Sequence, residues 1–358
     1  MGCMYQMRLE FINRVKENDI LGKNIFTNDG GILLRAGVKL TNQYIKKLTE
    51  LGVLYLYIED DNLEDIQIED KHLQEMKQVT IKRMNEIVSS VHQCGYKKAK
   101  DSLKVIENLM EYIICDGDVN KSLYDIKTYD NYTYVHCVDT GIMSGFLGLS
   151  LNLNEYELKE LGKGAILHDI GKTKISNKII NKKGSLTEKE FREIKKHPIY
   201  GKNILKKCFA ISDIILDVVE QHHERVDGTG YPYGLKGNCI TKYGKIACIC
   251  DVYDALSSDR SYRKKAAPNE AYEFILSQSG RMFDPDIVKK FKDTFAIYPL
   301  GCCVLLSDGT EGYVVKQNKG FPDRPIIRVI YDVATKNPIP YYEIDLLKKL
   351  DVTIISVV

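Results

Sequence analysis

Five of the chain's seven histidines, His136, His168, His197, His222 and His223, fall in one segment at the ends of successive helices that the apolar spacing predicts. This placement restricts the fold more than any other feature, because a helical bundle can bring side chains from different helix ends to one point. The central stretch is Gly164 to Lys172, an apolar helical run ending in His168 and Asp169 and followed by Lys172. It has the character of half a metal site. Neutral imidazole and carboxylate suit manganese, iron and zinc, and an Asp can use both oxygens to bridge two cations. Alone, a His-Asp pair is better explained as a helix-end hydrogen bond. The four other histidines tip the choice towards a metal. His72 and His92 stand outside the segment without acidic partners at ligand spacing, and read as surface residues.

At 358 residues and 44% hydrophobic, the chain has material for two or three domains with a real core. Lys and Arg number 51 against 49 Asp and Glu, a net charge of +2, so no global field draws in nucleic acid or an anionic membrane. An anionic ligand must be held by local charges. The ten cysteines include no CxxC pair, and no apolar stretch of signal length follows Met1 to Arg8, which points to reduced thiols in a cytoplasm. No run approaches the roughly 18 to 20 apolar residues of a membrane span, so a soluble protein is expected. Met1-Gly2-Cys3 suggests lipidation, but Gln6 and Met7 stand where the myristoylation pattern needs Ser or Thr.

Four units are expected along the chain. Residues 1–60 read as a small α+β unit, possible input for regulation, with a hairpin around Asn28-Asp29-Gly30-Gly31, a helix over Thr41 to Leu51 and a strand over Val53 to Ile58. Residues 61–127 carry helix-period apolar positions (Leu73, Met76, Val79, Ile87, Val91, then Leu103 to Ile114) and read as a helical connector or a dimer-forming helix. Residues 128–297 are a run of helices. Thr128 to Leu149 carries His136, while Asn154 with Glu157 and Thr187 with Glu190 have capping-box spacing and open helices at about 155–168 and 188–197. The second should break at Pro198, leaving His197 at a boundary. Further helices are expected over Ile211 to His223, over Lys245 to Leu256 with Asp251 and Asp254, from Pro268, and over Asp286 to Phe295. Residues 298–358 switch to short alternating runs, Cys303 to Leu306, Gly312 to Lys316 and Ile326 to Tyr331, a small β unit or barrel. The fold class is thus mainly α, with a small α+β unit before the bundle and a small β unit after it.

Seven candidate ligands collect in the helical unit: His136, His168, Asp169, His197, His222, His223 and Asp251. One metal held by three or four protein groups would not use them all. Two metals bridged by Asp169 would, and two such ions, ~3.5–4 Å apart, lower the pKa of a shared water towards about 7 and stabilise both oxygens of a phosphoryl displacement. Phosphoester hydrolysis is the chemistry suggested.

The linked motifs His168-Asp169-x-Gly171-Lys172, His222-His223-Glu224-x-x-Asp227-Gly228-x-Gly230-Tyr231-Pro232, Asp251-x-Tyr253-Asp254-Ala255 and Arg260-x-Tyr262-Arg263 resemble the HD-GYP family of HD-domain phosphohydrolases over about 128–297. The resemblance implies an all-helical domain with two or three iron or manganese ions. It further implies hydrolysis of the bacterial messenger cyclic di-GMP to pGpG, often on to GMP. Carried over by position, the metal ligands are the seven residues already collected. Trinuclear members carry a Glu four residues before the first metal-binding His, where this chain has Tyr132, so two ions are expected rather than three. A metal-bridging hydroxide would attack phosphorus, with Lys172 binding phosphate oxygens or protonating the leaving group, as the family's Lys is thought to do. A Lys at a helix C-terminus is also favoured by the macrodipole alone.

Among the remaining residues, Arg260 and Arg263, in a basic cluster with Lys264 and Lys265, could meet a second phosphate or a guanine edge, or be a solvated helix end. Tyr231, in a loop with glycines on one side and Pro232 on the other, is free to stack on a base or contact a signalling partner, unless the Gly230-Tyr231-Pro232 loop only shapes the pocket lip. Asp227 and Asp254 are expected to orient ligands as hydrogen-bond acceptors. Cys248 and Cys250 are expected to be buried thiols. Two alternatives stand beside a cyclic di-GMP phosphodiesterase: the same fold acting on another cyclic dinucleotide, and a receptor that binds without cleaving, which the full ligand set argues against.

Overall fold

The computed structural model describes residues 7–27, 31–63, 65–66, 70–93, 96–117, 121–122, 133–182, 184–208, 211–257, 268–318, 320–332 and 337–358. Its architecture is mainly α. The chain begins with β1 (Met7–Phe11), β2 (Ile25–Phe26), β3 (Ile32–Leu34), α1 (Asn42–Glu50) and β4 (Tyr55–Glu59), and β1 pairs antiparallel with β4. The Thr41 side chain accepts from the Tyr44 amide and fixes the start of α1. The expected turn residues Asn28 to Gly30 lie outside the described residues.

Two long helices follow, α2 (Lys71–Gln93) and α3 (Tyr96–Asp116). Most of their described apolar stripe is buried within the chain, with Val79 left 50% exposed. Leu73, Ile81, Met84 and Ile87 of α2 and Ile106, Leu109 and Met110 of α3 enter the same buried cluster as the helices that carry the histidines. Each fully buried aliphatic side chain contributes roughly 1.5–3 kcal/mol, so this connector is bound to the bundle along its length. After it, β5 (Lys121–Ser122) pairs in parallel with β6 (Phe295–Ala296), tying the two ends of the bundle.

Between those strands run α4 (Thr133–Ser150), α5 (Glu155–Leu167), α6 (Asn177–Ile180), α7 (Glu188–Ile194), α8 (His197–Cys208), α9 (Asp213–Gln221), α10 (Lys242–Ser257), α11 (Pro268–Ser277) and α12 (Pro285–Thr294). Both expected capping boxes form. Asn154 Oδ1 accepts from Glu157 N at 3.0 Å while Glu157 Oε2 accepts from Asn154 N at 2.9 Å, and Thr187 with Glu190 repeats the exchange. The second helix is shorter than 188–197. It stops at Ile194, and His197 opens the next helix with Pro198 in its first turn, where a missing amide proton costs no hydrogen bond. The backbone there is tightly stacked: a Cβ on Gly171 would lie 1.9 Å from the His197 carbonyl oxygen, so only glycine lets the turn after Asp169 reach the start of α8.

The C-terminal unit is a five-stranded antiparallel sheet in the order β10-β9-β8-β7-β11, built from β7 (Cys303–Leu306), β8 (Thr310–Asn318), β9 (Phe321–Asp332), β10 (Asn337–Asp345) and β11 (Ile354–Val357). It is an open sheet rather than a barrel, with β10 and β11 at its edges. It shares a core with the first strands: Met7, Leu9, Tyr55 and Tyr57 pack with Cys302, Val304, Val314 and Ile327, and the Leu9 amide donates to the Gly301 carbonyl at 2.9 Å. The units read from sequence as the two ends of the chain are therefore packed on each other. Among the described residues, no helix is long and apolar enough to cross a membrane.

Candidate metal centre

Three of the candidate ligands are oriented by the same local device. His168 stands immediately after α5, His197 opens α8 just past the end of α7, and His222 follows α9, so each has a free carbonyl three residues before it. His168 Nδ1 lies 2.7 Å from Ala165 O, His197 Nδ1 lies 2.8 Å from Ile194 O and His222 Nδ1 lies 3.0 Å from Val219 O. A carbonyl only accepts, so Nδ1 carries the proton in all three rings and Nε2 is left with its lone pair. That is the tautomer a metal-binding histidine takes when its second nitrogen is tied to a carbonyl.

Those lone pairs converge. Asp169, His197, His222 and His223 form one group whose ligand atoms all lie within 4.8 Å of one another, and His136, His168 and Asp251 form another. The two carboxylates join the groups. Asp169 Oδ1 is 3.3 Å from His197 Nε2 while its Oδ2 is 3.4 Å from His168 Nε2 and bonded to Lys172 Nζ. Asp251 Oδ1 is 3.0 Å from His136 Nε2, and its Oδ2 is 3.5 Å from His223 Nδ1. His136 comes from α4 and Asp251 from α10, so all seven candidates meet as the histidine pattern requires.

The residues present fit cations. His197 Nε2 and His222 Nε2 face each other at 3.1 Å although both rings have committed their protons to carbonyls, which sets two lone pairs against one another. His168 Nε2 and Asp169 Oδ1 are buried with no hydrogen-bond partner, an arrangement costly unless a positive charge lies between them. Burial drives His197 down to about 4 and holds His222 and His223 well below the usual imidazole range, so these rings are neutral donors. Burial opposes ionisation of Asp169 and Asp251, but Lys172 and His168 for the first, and His136 and His223 for the second, outweigh it and keep both carboxyls well below their ordinary value. His136 is the exception. Burial pulls its pKa down, yet hydrogen bonds to Asp251 and Asp254 lift it to about 9. Its Nδ1 lies 2.6 Å from Asp254 Oδ2, while its Nε2 faces Asp251 Oδ1.

The surroundings add detail. Asp227 Oδ1 accepts from the Thr229 amide at 2.9 Å and the Thr229 hydroxyl at 2.7 Å, closing a local turn. Tyr231 lies against the imidazoles of the site. Its ring centroid lies 4.6 Å from that of His223 at a 33° tilt, and Lys195 Nζ stands 5.3 Å from it. Gly230 permits this, since a Cβ there would meet Arg225 N at 2.4 Å and Glu224 Cα at 2.5 Å. The loop is held by Glu224, whose role the sequence reading missed: it is 1% exposed and accepts from Tyr233 N at 2.8 Å and Leu235 N at 3.0 Å. A carboxylate next to two histidines at the end of an apolar helix was the available signal. Cys137, also missed, lies beside His168 and Asp169, but burial holds its thiol well above the usual range, so it sits there as a neutral group. Cys248 and Cys250 are buried thiols, the first donating to the Glu224 carbonyl. His72 is exposed, as expected, but it does have an acidic neighbour, Glu75, at 3.9 Å one helical turn on. Arg260, Arg263, Lys264, Lys265 and Tyr132, and the side chain of His92, lie outside the described residues.

Comparison with known proteins bears on the same region. A family model described as an HD domain matches residues 135–287, and one described as a KOW domain associated with HD domains matches 303–358. A cyclic di-GMP phosphodiesterase of Thermotoga maritima is 30% identical over 256 residues, covering 70% of this chain and 67% of the relative. The chain belongs to the HD-domain family, in its HD-GYP branch. A cyclic di-GMP phosphodiesterase of Pseudomonas aeruginosa is 34% identical over 74% of this chain, an alignment that spans 61% of the relative's own length. A solved HDG"Y"P protein of Bdellovibrio bacteriovorus superposes with a TM-score of 0.51 at 16% identity, covering 80% of this chain and 99% of that one, and so shares the fold. Within this HD-GYP domain the matched segment holds every candidate ligand and both loop supports, Glu224 and Gly230.

Proposed function

We propose that this HD-GYP domain is a metal-dependent phosphodiesterase that hydrolyses cyclic di-GMP to pGpG, GMP or both. The observation that carries the reading is the pair of ligand groups joined by Asp169 and Asp251, with Lys172 at their edge. His197, His222, His223 and Asp169 would hold one divalent ion, and His136, His168 and Asp251 the other. An imidazole and carboxylate set without thiolate suits iron or manganese. Such ions supply Lewis-acid polarisation of a phosphoryl oxygen and a water made acidic enough to attack near neutral pH.

The chain's own residues supply the rest. The three Nδ1–carbonyl bonds hold the imidazoles in place before substrate arrives, so no rotamer entropy is spent on binding. Lys172 is partly exposed, and its ammonium, steadied by Asp169 Oδ2, can bind a non-bridging phosphate oxygen or give a proton to the departing ribose oxygen. Tyr231, laid over His223, covers that ring and helps exclude water.

The test is incubation of purified protein with manganese, or with ferrous iron kept anaerobic, and chromatography of cyclic di-GMP. Appearance of pGpG or GMP, lost together with bound metal in Asp169→Ala, supports the reading. Binding without product under either metal would sink it in favour of a receptor.

A further inference from the structure

A cavity of about 230 Å³ opens beside the metal centre, and the chemistry above uses only its edge, Asp169 and Lys172. The buried Leu167 and Ile170 give it an apolar lining. Met84 and Val88 of α2 line it as well, so the connector, not the histidine-bearing helices alone, shapes it. Where it meets solvent stand Asn177 and Asn181, one helical turn apart and both exposed. An apolar hollow with a few polar groups at its mouth is how small-molecule sites are built. Its size is informative: an apolar cavity of about 150 Å³ holds one benzene ring. This one is half as large again, the step from a single ring to a fused bicycle, and too small for a whole cyclic dinucleotide.

We propose that this cavity seats one purine base of the cyclic dinucleotide whose phosphate meets Asp169 and Lys172, with Met84 and Val88 as a specificity-determining wall. The inference rests on the phosphodiesterase reading for its substrate class. Leu167, Ile170, Met84 and Val88 give the base its apolar surroundings. The amides of Asn177 and Asn181 each carry a donor and an acceptor, which can match the O6 acceptor and N1–H donor of a guanine edge. Because α2 supplies the wall, the segment linking the N-terminal unit to the bundle contributes directly to substrate affinity.

The experiment fills the cavity in the metal-loaded full-length protein. Val88→Phe does so from the α2 side, and Ile180→Trp, at a 37% exposed position, does so from the mouth, where it cannot disrupt the core. Binding of cyclic di-GMP is measured by calorimetry and turnover by chromatography, with metal content measured alongside. Each variant should raise Kd and KM at least tenfold with wild-type metal content, and Asn177→Ala combined with Asn181→Ala should shift the preference for cyclic di-GMP over cyclic di-AMP at least fivefold. If Ile180→Trp, folded and metal-loaded, keeps Kd and KM within twofold of wild type, the base seat is wrong while the hydrolase reading stands. A wild-type protein that binds without cleaving, and loses binding on filling, would keep the seat and remove the hydrolase. One that neither binds nor cleaves overturns both.

Discussion

The helical bundle and the β core at its side both bury charged and polar groups, and they treat them in opposite ways. In the β core the groups close on one another. Asp60 accepts from Arg8, from the Asn62 backbone and side chain, and from Tyr313 OH, while Arg328 is forked onto Asp65 and bonded to Glu343 and the Asn62 carbonyl. In the bundle, His168, His197 and His222 each tie their outer nitrogen to a backbone carbonyl, and the inner nitrogens and carboxylate oxygens crowd round a common point. A closed network specifies a fold; one left open inward specifies a binding partner.

The strongest way to break this contrast is Asp169→Ala, which removes a carboxylate that approaches histidines of both groups. Turnover should fall by roughly 10³-fold or more, the several kcal/mol that metal ions contribute to such reactions, and metal analysis should show the loss. Next in size is metal removal. Chelation should destabilise the bundle by about 4 kcal/mol where metal had stood at a thousandfold its Kd, read as a drop in thermal midpoint. The β core is tested by Asp60→Ala, which strands Tyr313 OH and the Asn62 amide. Denaturant titration should show about 1–3 kcal/mol lost, with bound metal unchanged; a fall in metal content would erase the distinction between the regions. Glu224→Ala frees the amides of Tyr233 and Leu235 and should cut kcat/KM by roughly tenfold, about 1.4 kcal/mol, at constant metal content.

The smallest effect is on pH. His197 takes its proton at about 4 rather than 6.5, because burial disfavours its charge. Between those values the unfolded chain binds a proton that the folded chain does not, so this contribution is complete above 6.5 and lost as pH falls towards 4. His136, lifted to about 9, works in reverse: its contribution is complete below 6.5 and disappears as pH rises through 9. Metal-free protein should therefore lose thermal stability towards both ends of that range, and His197→Gln should make the acid-side loss shallower without removing it, since His222 and His223 are lowered by burial as well, and leave the alkaline side unchanged.

What the sequence revealed divides along the same line. Helix ends are written locally: Asn154 with Glu157, Thr187 with Glu190, and Pro198 placed their termini within a few residues, and with them His168 and His197. Asp254 could be assigned its part because a carboxylate one turn after Asp251 shares its helical face. Glu224, Asp227 and Tyr231 were harder, since whether a polar residue in a tight loop serves the loop or the site depends on backbone approach, here set by Gly230. Strand β10 escaped notice because Pro338 and Pro340 interrupt its alternation and a bulge separates Pro338 from Tyr342. The union of β1 with the C-terminal sheet has no local signature at all, because its partners, Leu9 and Cys302, are nearly the whole chain apart.

That union has a mechanical meaning. Tension applied outside Leu9 and Gly301 would load their hydrogen bond and the packing around it before any helix was stretched, so the helical bundle hangs as a loop behind a clasp. A force strong enough to open the clasp would leave the bundle to bear the pull next, starting with α2, whose side chains line the cavity beside Lys172.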